Sequence, residues 1–263
     1  MSDCKIDSKK DIMYLYFPVF WENGIVAATS LRAGGVSPAP YESLNMGLHT
    51  DDDPENVLKN RARFFKSLKI NFRNIVTLKQ VHGNRVVSVK GSDKGKGAVS
   101  YDESLAEADA MITQDRALPM VTFTADCMPI FFAEIKGGII AMAHSGRQGA
   151  LKNIALQVVK KIIEKGGKAE HIIVGLGAAI QSCCYQVQED VASLFEKQYI
   201  RQSQDGLYLD MHDLIRDNLL KAGIAREHIY SCDICTACQT QLCYSYRKEH
   251  TTGRMASVIM LCQ

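Results

Sequence analysis

Short apolar runs separated by polar residues dominate the chain, and this pattern predicts many strands. The runs are rich in β-branched and aromatic side chains, and glycine, proline or polar residues bound them, which is typical of strands. We predict strands at residues 14–20, 25–31, 75–81, 85–89, 120–124, 130–135, 138–143, 172–176 and 257–261.

A helical spacing of apolar positions appears in longer segments between and after these runs. The first begins with Asp53, an acid suited to capping a helix, and Pro54, which suits a first turn. The second ends at two consecutive glycines, a common signal at a helix C-terminus. We predict helices at residues 54–68, 150–164, 189–199 and 211–222.

The order of these elements predicts an α+β (mixed α/β) fold. Strands cluster in the middle of the chain and helices are interspersed later, which favours a mixed β-sheet core flanked by helices. The sequence contains neither an internal repeat nor a low-complexity linker. We therefore expect a single domain over residues 1–263, with residues 1–12 flexible because they are short of apolar positions.

Composition adds little to the fold prediction, but it argues against some classes of function. Apolar residues make up 46% and charged residues 23% of the chain, and the formal net charge is +2. This balance does not call for nucleic acid or an acidic membrane as a partner. No apolar run reaches the length of a membrane span, and the N-terminus lacks the apolar core of a signal peptide. We expect a cytoplasmic protein, and a homodimer is left open.

Cysteine usage fits that compartment. The chain has nine cysteines, an odd number that cannot pair completely. Thiols stay reduced in the cytosol, so we interpret these residues as thiols or metal ligands.

Three segments share one design, in which a predicted strand runs into a single metal-binding side chain. The side chains are His82, Cys127 and His144. Two imidazoles and one thiolate form a good zinc set, and three protein ligands leave a fourth position for water or substrate. Separations of 45 and 17 residues mean that only the fold can assemble such a site. From spacing alone, two ordinary histidines and one buried thiol explain the pattern as well.

The segment after His144 suggests an anion site beside the metal. Residues 145–149 lead from a strand into the predicted helix at Ala150 and contain two glycines. Such a turn directs backbone N–H groups outward, and Arg147 could add a forked cation. An ordinary strand-to-helix turn with an exposed arginine is the alternative.

Ordered motifs along nearly the whole chain point to one family. They lie at residues 31–37, 40–47, 53–55, 60–61, 80–83, 108–110, 125–127, 143–144, 184–185, 244–247 and 253–254. Together they resemble the laccase-domain family, historically called polyphenol oxidases and now associated with purine nucleoside phosphorylase activity.

The resemblance implies a function and a set of site residues. It implies a metal-bearing pocket with zinc on His82, Cys127 and His144, which would be the catalytic residues. It also implies phosphorolysis of adenosine, inosine, guanosine and methylthioadenosine, and deamination of adenosine. Three further residues belong to motifs near the site in the family, so we expect them to contact substrate or phosphate: Arg32, Asn45 and Gln80. A loop-anchoring arginine, a turn asparagine and a strand-end glutamine are the alternatives.

The chain departs from the family pattern beside the predicted anion site. Where the family usually reads Ala-His-Ala-Gly-Trp-Arg-Gly, Arg147 takes the tryptophan position and Gln148 the arginine position. If the usual arginine holds phosphate, either Arg147 replaces it from a neighbouring position or phosphate affinity drops. Ala178 and Gln186 replace a usual proline and glutamate. These changes bear on the substrate range rather than on the metal ligands.

A second group of cysteines has ligand-like spacing. Cys232, Cys235, Cys238 and Cys243 resemble iron–sulfur or zinc ligand runs, although the last interval is longer than in ferredoxins. Reduced thiols near the start of a strand are the alternative. We interpret Cys183 and Cys184 as packed small residues rather than as a redox pair.

Other functions fit parts of the pattern. A copper polyphenol oxidase is one, but none of the seven histidines forms the H-x-H pair that a multicopper cluster needs, so a single copper on the His2Cys set is what remains. A metal-free hydrolase is another, with Cys127 as nucleophile and His144 as base; the family's link to an amidase acting on cell-wall precursors would suit it. A non-catalytic binding protein is the third.

Overall fold

Two six-stranded sheets pack face to face and form the centre of the fold. The computed structural model describes residues 3–262. The first sheet has the strand order β1-β2-β3-β15-β7-β4 and the second the order β14-β10-β8-β9-β6-β5, while β11-β13-β12 form a small third sheet. The strands are β1 (Lys5–Lys9), β2 (Ile12–Tyr16), β3 (Ile25–Ser30), β4 (Val76–Thr77), β5 (Val86–Ser88), β6 (Ala110–Thr113), β7 (Met120–Thr124), β8 (Met128–Glu134), β9 (Ile139–Ser145), β10 (Ile172–Leu176), β11 (Gln186–Val187), β12 (Ile200–Ser203), β13 (Gly206–Leu209), β14 (Ile229–Ser231) and β15 (Met255–Leu261).

Helices cover the outer faces of both large sheets. The longest is α2, whose first turn Asp53 caps through its side chain, as the sequence predicts. The helices are α1 (Pro18–Glu22), α2 (Pro54–Ser67), α3 (Arg147–Leu151), α4 (Ile154–Glu164), α5 (Glu189–Ala192), α6 (Met211–Lys221) and α7 (Tyr246–Glu249). The α+β fold class is therefore confirmed, with two mixed sheets where we expected one.

Alternation of side chains along the strands divides the core into layers. On β9, Ile140 and Met142 face the apolar layer between the two sheets, whereas Ile139 and Ala141 face the layer under α4 and α6. Successive side chains of a strand point to opposite faces, so a strand buried on both faces reads as a continuous apolar run. A third apolar layer lies between the first sheet and α2.

Several predicted boundaries were wrong, each for a local reason. The strand expected at residues 14–20 ends at Tyr16, because Pro18 begins α1 with a preset backbone angle. The helix expected at 150–164 is two helices, because Asn153 adopts a left-handed conformation and caps α4 through its side chain. The helix expected at 189–199 is the four-residue α5 followed by a short 3-10 turn.

The N-terminal segment contributes a strand to the first sheet. Residues 5–9 form β1, which pairs antiparallel with β2, and the hydroxyl of Tyr14 donates to the carboxylate of Asp7 at 2.6 Å. The expectation of a flexible segment falls partly on residues 1 and 2, which lie outside the described residues. The predicted strand at 75–81 is also short, since β4 covers two residues and Lys79 adds an isolated bridge to Glu107.

One crossing between the sheets positions the site described next. Strand β7 belongs to the first sheet and β8 to the second, so the chain passes from one to the other within residues 125–127. The neighbouring strand β9 places His144 opposite Pro129 of β8. Across residues 3–262, none of the helices has both the length and the apolar character needed to cross a bilayer.

Candidate metal centre and cavity

The three side chains predicted to bind metal converge at the crossing between the sheets. One ligand atom from each of His82, Cys127 and His144 lies within 4.8 Å of the others. The Cys127 Sγ to His82 Nε2 distance is 3.9 Å, and the two imidazole centroids are 4.9 Å apart at a steep angle. Atoms bound to one tetrahedral zinc ion at bonds of about 2.0–2.3 Å would be separated by similar distances. The arrangement is a candidate metal site.

Asp109 is the central support of this cluster. Its fully buried carboxylate accepts hydrogen bonds from the backbone N–H groups of Val81, His82 and Gly83, at 3.3, 3.0 and 2.6 Å. Its Oδ1 also lies 2.8 Å from Nδ1 of His144. With Nδ1–H donating to Asp109, the other ring nitrogen of His144 is left as a lone-pair donor for metal. One carboxylate thus fixes the loop that carries His82 and the orientation of His144.

Asp126 supports the third ligand in the same manner. It adopts a positive φ of 88°, and its buried carboxylate accepts from the hydroxyls of Thr236 and Ser245 at 2.6 and 2.7 Å. The backbone N–H of Arg247 also donates to it, at 2.7 Å. A left-handed backbone is costly for a residue other than glycine, so these bonds hold the turn that presents Cys127.

Gly146 leaves the space that the ligands occupy. A Cβ atom built at this position would lie 2.9 Å from Sγ of Cys127 and 2.9 Å from Cδ2 of His82. Carbon atoms do not approach other heavy atoms so closely without displacement. Any side chain here would therefore move a ligand.

The electrostatics of the cluster favour an ionised thiol. Burial disfavours the thiolate of Cys127, but the nearby His144 and His82 outweigh it and lower the pKa of the thiol to about 6. Burial likewise opposes the charge on His144, yet Cys127 and Asp109 raise the pKa of its imidazole to about 9. Without metal, the pair is thus a thiolate beside an imidazolium at neutral pH.

A cavity of about 500 Å³ opens above the three ligands. One part of its wall is aromatic, where the ring of His49 lies 5.4 Å from Tyr101 and 6.0 Å from Phe123, measured between centroids. A volume of this size suits a small-molecule ligand, and flat rings offer stacking surface to a planar base.

Three arginines also line the cavity. They are Arg147, Arg247 and Arg254. The guanidinium of Arg247 donates to a backbone carbonyl and lies over the ring of Tyr185, while that of Arg254 donates to two backbone carbonyls. A guanidinium has five N–H donors, so donors remain for an anion in the cavity.

Two buried hydroxyls in the lining have no hydrogen-bond partner among residues 3–262. They belong to Thr124, at the end of β7, and Ser145, at the end of β9. Buried polar atoms are normally paired, and an unpaired one beside a cavity is a natural contact for a polar ligand.

The other residues predicted to contact substrate divide into two groups. Gln80 and Arg147 line the cavity. The side-chain amide of Gln80 pairs with both backbone groups of Phe123, at 2.9 and 2.8 Å, so it ties the His82 loop to β7. Arg147 begins α3 at the cavity wall, whereas Gln148 is exposed and lies outside the lining. Because α3 has only five residues, its dipole adds little to an anion site.

Contrary to our expectation, Arg32 and Asn45 do not line the cavity. Arg32 forms a 2.7 Å ion pair with Glu249 and donates to two backbone carbonyls. Asn45 is fully buried, where it donates to Asp52 and accepts from the backbone N–H of Arg254. Their polar groups are used to anchor loops, which is the alternative that the sequence left open.

The cysteine-rich segment forms a different group from the one suggested by spacing. Cys183, Cys184, Cys235 and Cys238, which we call the four-thiol cluster, place all their Sγ atoms within 4.8 Å of one another. The ligand run through Cys232 and Cys243, which the sequence left open beside ordinary reduced thiols, is not formed, because both residues are buried in the apolar layer between the sheets. The interpretation of the adjacent cysteines as packed small residues was also wrong, since Cys183 is exposed and faces other thiols.

Several important residues of the site were not predicted. Asp109, Arg247 and Arg254 belong to motifs of the resemblance, but nothing in their spacing distinguishes them from ordinary charged residues. His49 and Asp126 are equally ordinary in the sequence. Only the backbone N–H groups and rings around them reveal their roles, and those neighbours come from distant segments.

Comparison with known proteins agrees with the motifs. Residues 26–262 match the family model described as multi-copper polyphenol oxidoreductase laccase. The chain is 34% identical over 246 residues to a protein of Geobacillus stearothermophilus named purine nucleoside phosphorylase YlmD, covering 90% of each. It is 32% identical to purine nucleoside phosphorylase YfiH of Escherichia coli, covering 90% of this chain and 94% of the relative.

Solved structures give the same result. The crystal structure of YlmD from Geobacillus stearothermophilus superposes with a TM-score of 0.93 at 31% identity, covering all of both chains. That of the hypothetical protein YfiH from Bacillus licheniformis has a TM-score of 0.93 at 30% identity and covers 99% of this chain and all of the other. The chain therefore belongs to the laccase-domain family, and the predicted resemblance is confirmed.

Proposed function

We propose that the protein is a zinc-dependent purine nucleoside phosphorylase that cleaves adenosine, inosine, guanosine and methylthioadenosine, and that it also deaminates adenosine. The observation that carries the proposal is the His82–Cys127–His144 cluster, exposed to a cavity that three arginines line. The names of the relatives, purine nucleoside phosphorylase in each case, support the same activity.

The donor set fits zinc. Two imidazoles and one thiolate are ligands that zinc favours, and three protein ligands leave one position open. The carboxylate of Asp109 lies close to the ligands and hydrogen-bonds His144, as supporting residues do in zinc sites. When bound, zinc would supply a Lewis acid that polarises an oxygen of phosphate or water in the cavity. The same set also suits one copper ion, so metal analysis of protein purified without added copper is part of the test.

The arginines and rings of the cavity account for binding of the two substrates. Arg147, Arg247 and Arg254 would hold the phosphate anion through forked hydrogen bonds. The ring group of His49, Tyr101 and Phe123 would stack against the purine. Holding both reactants in one cavity turns a bimolecular step into an effectively unimolecular one. The glycosidic bond then breaks as a phosphate oxygen bonds to the ribose carbon and the purine leaves with a proton.

The decisive experiment is product identification. The protein is incubated with adenosine, with and without phosphate, and the products are identified by mass spectrometry. We expect ribose 1-phosphate and adenine only when phosphate is present. Inosine and ammonia should form with or without phosphate, because deamination consumes water. If free ribose forms equally well without phosphate, the protein is a nucleoside hydrolase and the proposal of a phosphorylase is wrong.

A matched pair of variants separates the arginine in the cavity from its exposed neighbour. Arg147→Ala should raise the KM for phosphate about tenfold or more, since it removes a charge-assisted contact worth about 1.5–3 kcal/mol. Gln148→Ala, one residue away and outside the lining, should leave it unchanged. Equal KM values in both variants would remove Arg147 from the phosphate site.

The geometry of Cys127, His144 and Asp109 also favours a second candidate, a metal-free thiol hydrolase. A lowered thiol pKa beside an imidazole that a carboxylate orients is the arrangement of a cysteine nucleophile with its base. Such an enzyme would lose activity to a thiol-alkylating reagent, would not need phosphate, and zinc would inhibit it. The phosphorylase should instead be inactive after chelation and recover with zinc.

We propose the cytoplasm as the compartment of this activity. None of the nine cysteines, all of which lie within residues 3–262, forms a disulfide, although Sγ of Cys238 lies 3.5 Å from that of Cys183 and 3.3 Å from that of Cys184. A reducing compartment preserves such thiols. Cell fractionation with an antibody to the protein tests this assignment.

A further inference from the structure

Two turns bring the four-thiol cluster together, and its members Cys183 and Cys238 are exposed. The first turn holds Cys183 and Cys184 and closes with the N–H of Cys184 donating to Gln181. The second runs from Cys235 to Cys238, with the N–H of Cys238 donating to the carbonyl of Cys235. Residues about fifty positions apart in sequence thus share one small volume, which loop packing alone does not require.

The sulfur positions match one tetrahedral ion. The Sγ of Cys238 lies 3.5 Å from that of Cys183 and 3.3 Å from that of Cys184, and all four sulfurs lie within 4.8 Å of one another. Four thiolates on one zinc ion are about 3.8 Å apart, because Zn–S bonds are about 2.3 Å. A disulfide needs about 2.0 Å, and a cluster with several irons and bridging sulfides needs a wider shell of ligands.

The four thiols differ in their access to solvent. Cys235 is the buried member of the group. Cys183 and Cys238 are exposed, so an ion can reach the group from solvent.

We propose that the four-thiol cluster binds one zinc ion through four thiolates, as a structural site separate from the metal centre in the cavity. Four protein sulfurs complete a tetrahedral shell and leave no position for substrate, which is the property of structural zinc sites. The thiol protons are released to solvent when the ion binds.

This ion would fasten one wall of the cavity. The two turns belong to two segments, residues 179–185 and residues 235–238. A parallel bridge between Ala179 and Cys235 already joins these segments, and the N–H of Thr236 donates to the carbonyl of Ala179. Ile180 and Tyr185, on the first segment, line the cavity. Thr236, on the second, donates to the carboxylate of Asp126. The apolar group beside the cluster is small, so the ion supplies much of the cohesion between the segments.

Metal stoichiometry tests the proposal without any measurement of catalysis. The full chain is purified under reducing conditions with zinc in the medium, dialysed, and analysed for zinc, iron and sulfide per chain. We expect about two zinc ions per chain in the wild type, and about one in each of Cys183→Ser, Cys238→Ser and His82→Ala. Combining Cys238→Ser with His82→Ala should leave none. Cys262→Ser, a half-buried thiol outside both groups, is the control and should keep two.

Cobalt provides a second measurement that separates the two sites. Thiolate-to-cobalt charge-transfer absorption grows with the number of sulfur ligands, so His82→Ala should retain a strong band that Cys238→Ser loses. Cys238→Ser must show native circular dichroism, and Cys183→Ser, at another exposed thiol, provides an independent loss of the same ion. One zinc per wild-type chain, lost only in His82→Ala, would overturn the proposal. So would iron with sulfide, or a disulfide within the group.

Discussion

The cavity centre and the four-thiol cluster both offer soft or borderline metal ligands, but on different kinds of support. His144 lies on a strand buried on both faces, and His82 and Cys127 follow strands, with Asp109 and Asp126 fixing their backbones. The four-thiol cluster is carried by two surface turns, and Cys183 and Cys238 are exposed. A rigid sheet can hold its three ligands in place without metal, whereas surface turns would gain order from the proposed ion.

The difference teaches where each ion would act. In the cavity, left-handed backbone conformations and buried carboxylates hold the ligands in position. An ion bound there would therefore be available for chemistry. In the four-thiol cluster, the proposed ion would hold the geometry, so its binding would contribute to the stability of the fold. Removing ligands from the cavity centre should therefore lower the reaction rate, and removing them from the four-thiol cluster should lower the stability of the fold.

Removing a ligand from the cavity centre gives the largest expected effect. His82→Ala and Cys127→Ala should each lower nucleoside cleavage by about a thousandfold or more, since Lewis-acid stabilisation is worth several kcal/mol. Initial rates and metal analysis measure this loss, while circular dichroism should show a native fold. Full activity in either variant would contradict the metal mechanism and the assignment of chemistry to the cavity centre.

Changing the shared support should have an intermediate effect. Asp109→Asn loses one acceptor and adds donors where four N–H groups converge, so zinc should bind the cavity centre between about 10- and 100-fold more weakly. Competition with a chelator of known affinity measures the change. Asp102→Asn, at an exposed carboxylate that pairs with Lys79, is the control. Unchanged affinity in Asp109→Asn would show that the strands alone orient the ligands.

Filling the space beside the ligands should cost less. Gly146→Ala places a methyl group 2.9 Å from Sγ of Cys127, and zinc affinity should fall about tenfold, the lower end of effects known for residues that support metal ligands. Gly91→Ala is the matched control, because its Cβ would meet only Asp115, at 3.5 Å. If both variants bind zinc equally well, the cavity centre is less rigid than the comparison assumes.

The smallest effect is a difference in proton release. At pH 7.5 the metal-free pair holds a thiolate at Cys127, with a pKa of about 6, and a proton on His144, with a pKa of about 9. Zinc requires the neutral imidazole, so this pair should release about one proton. Zinc affinity should therefore fall as the pH drops below the pKa of His144, and more steeply below the pKa of Cys127. Burial and neighbouring thiols raise the pKa values of Cys183 and Cys184, so those residues keep their protons and must release both.

Variants that retain one site each make this difference measurable. Calorimetry in buffers of different ionisation enthalpy should give fewer protons per zinc for Cys238→Ser, which keeps the cavity centre, than for His82→Ala, which keeps the four-thiol cluster. Equal values would mean that the two sites do not differ in their metal-free charge states.

The sequence predicted most of the fold and the ligands, for reasons that particular residues show. Runs such as β8 and β9 are apolar at nearly every position, so the sequence alone predicts them as buried strands. His82, Cys127 and His144 came together through resemblance, because their spacing alone fits ordinary residues equally well. Strand β4 is shorter than predicted, since runs of two to four residues carry little periodicity. For the same reason the prediction missed the strands β6, β11, β12, β13 and β14.

What the sequence could not provide is contact between distant segments. Cys235 and Cys238 have a ligand-like interval, but their partners are the adjacent Cys183 and Cys184, not the nearer Cys232 and Cys243. Which thiols face inward depends on the parallel bridge at Ala179, and a linear pattern does not contain that bridge. The same holds for Arg32, whose ion pair with Glu249 spans most of the chain.

The carboxylate of Asp109 sets the electrical balance of the loaded centre. It is fully buried, and its pKa is lowered, because hydrogen bonds from His144, Gly83 and His82 outweigh the effect of burial. Together with the thiolate of Cys127 it carries two negative charges, equal in size to the charge of a divalent ion. With a divalent ion bound, the centre would therefore be close to electroneutral, and long-range attraction of a phosphate dianion would come from the arginines at the cavity wall. Added salt would weaken capture of phosphate while leaving the ion in place.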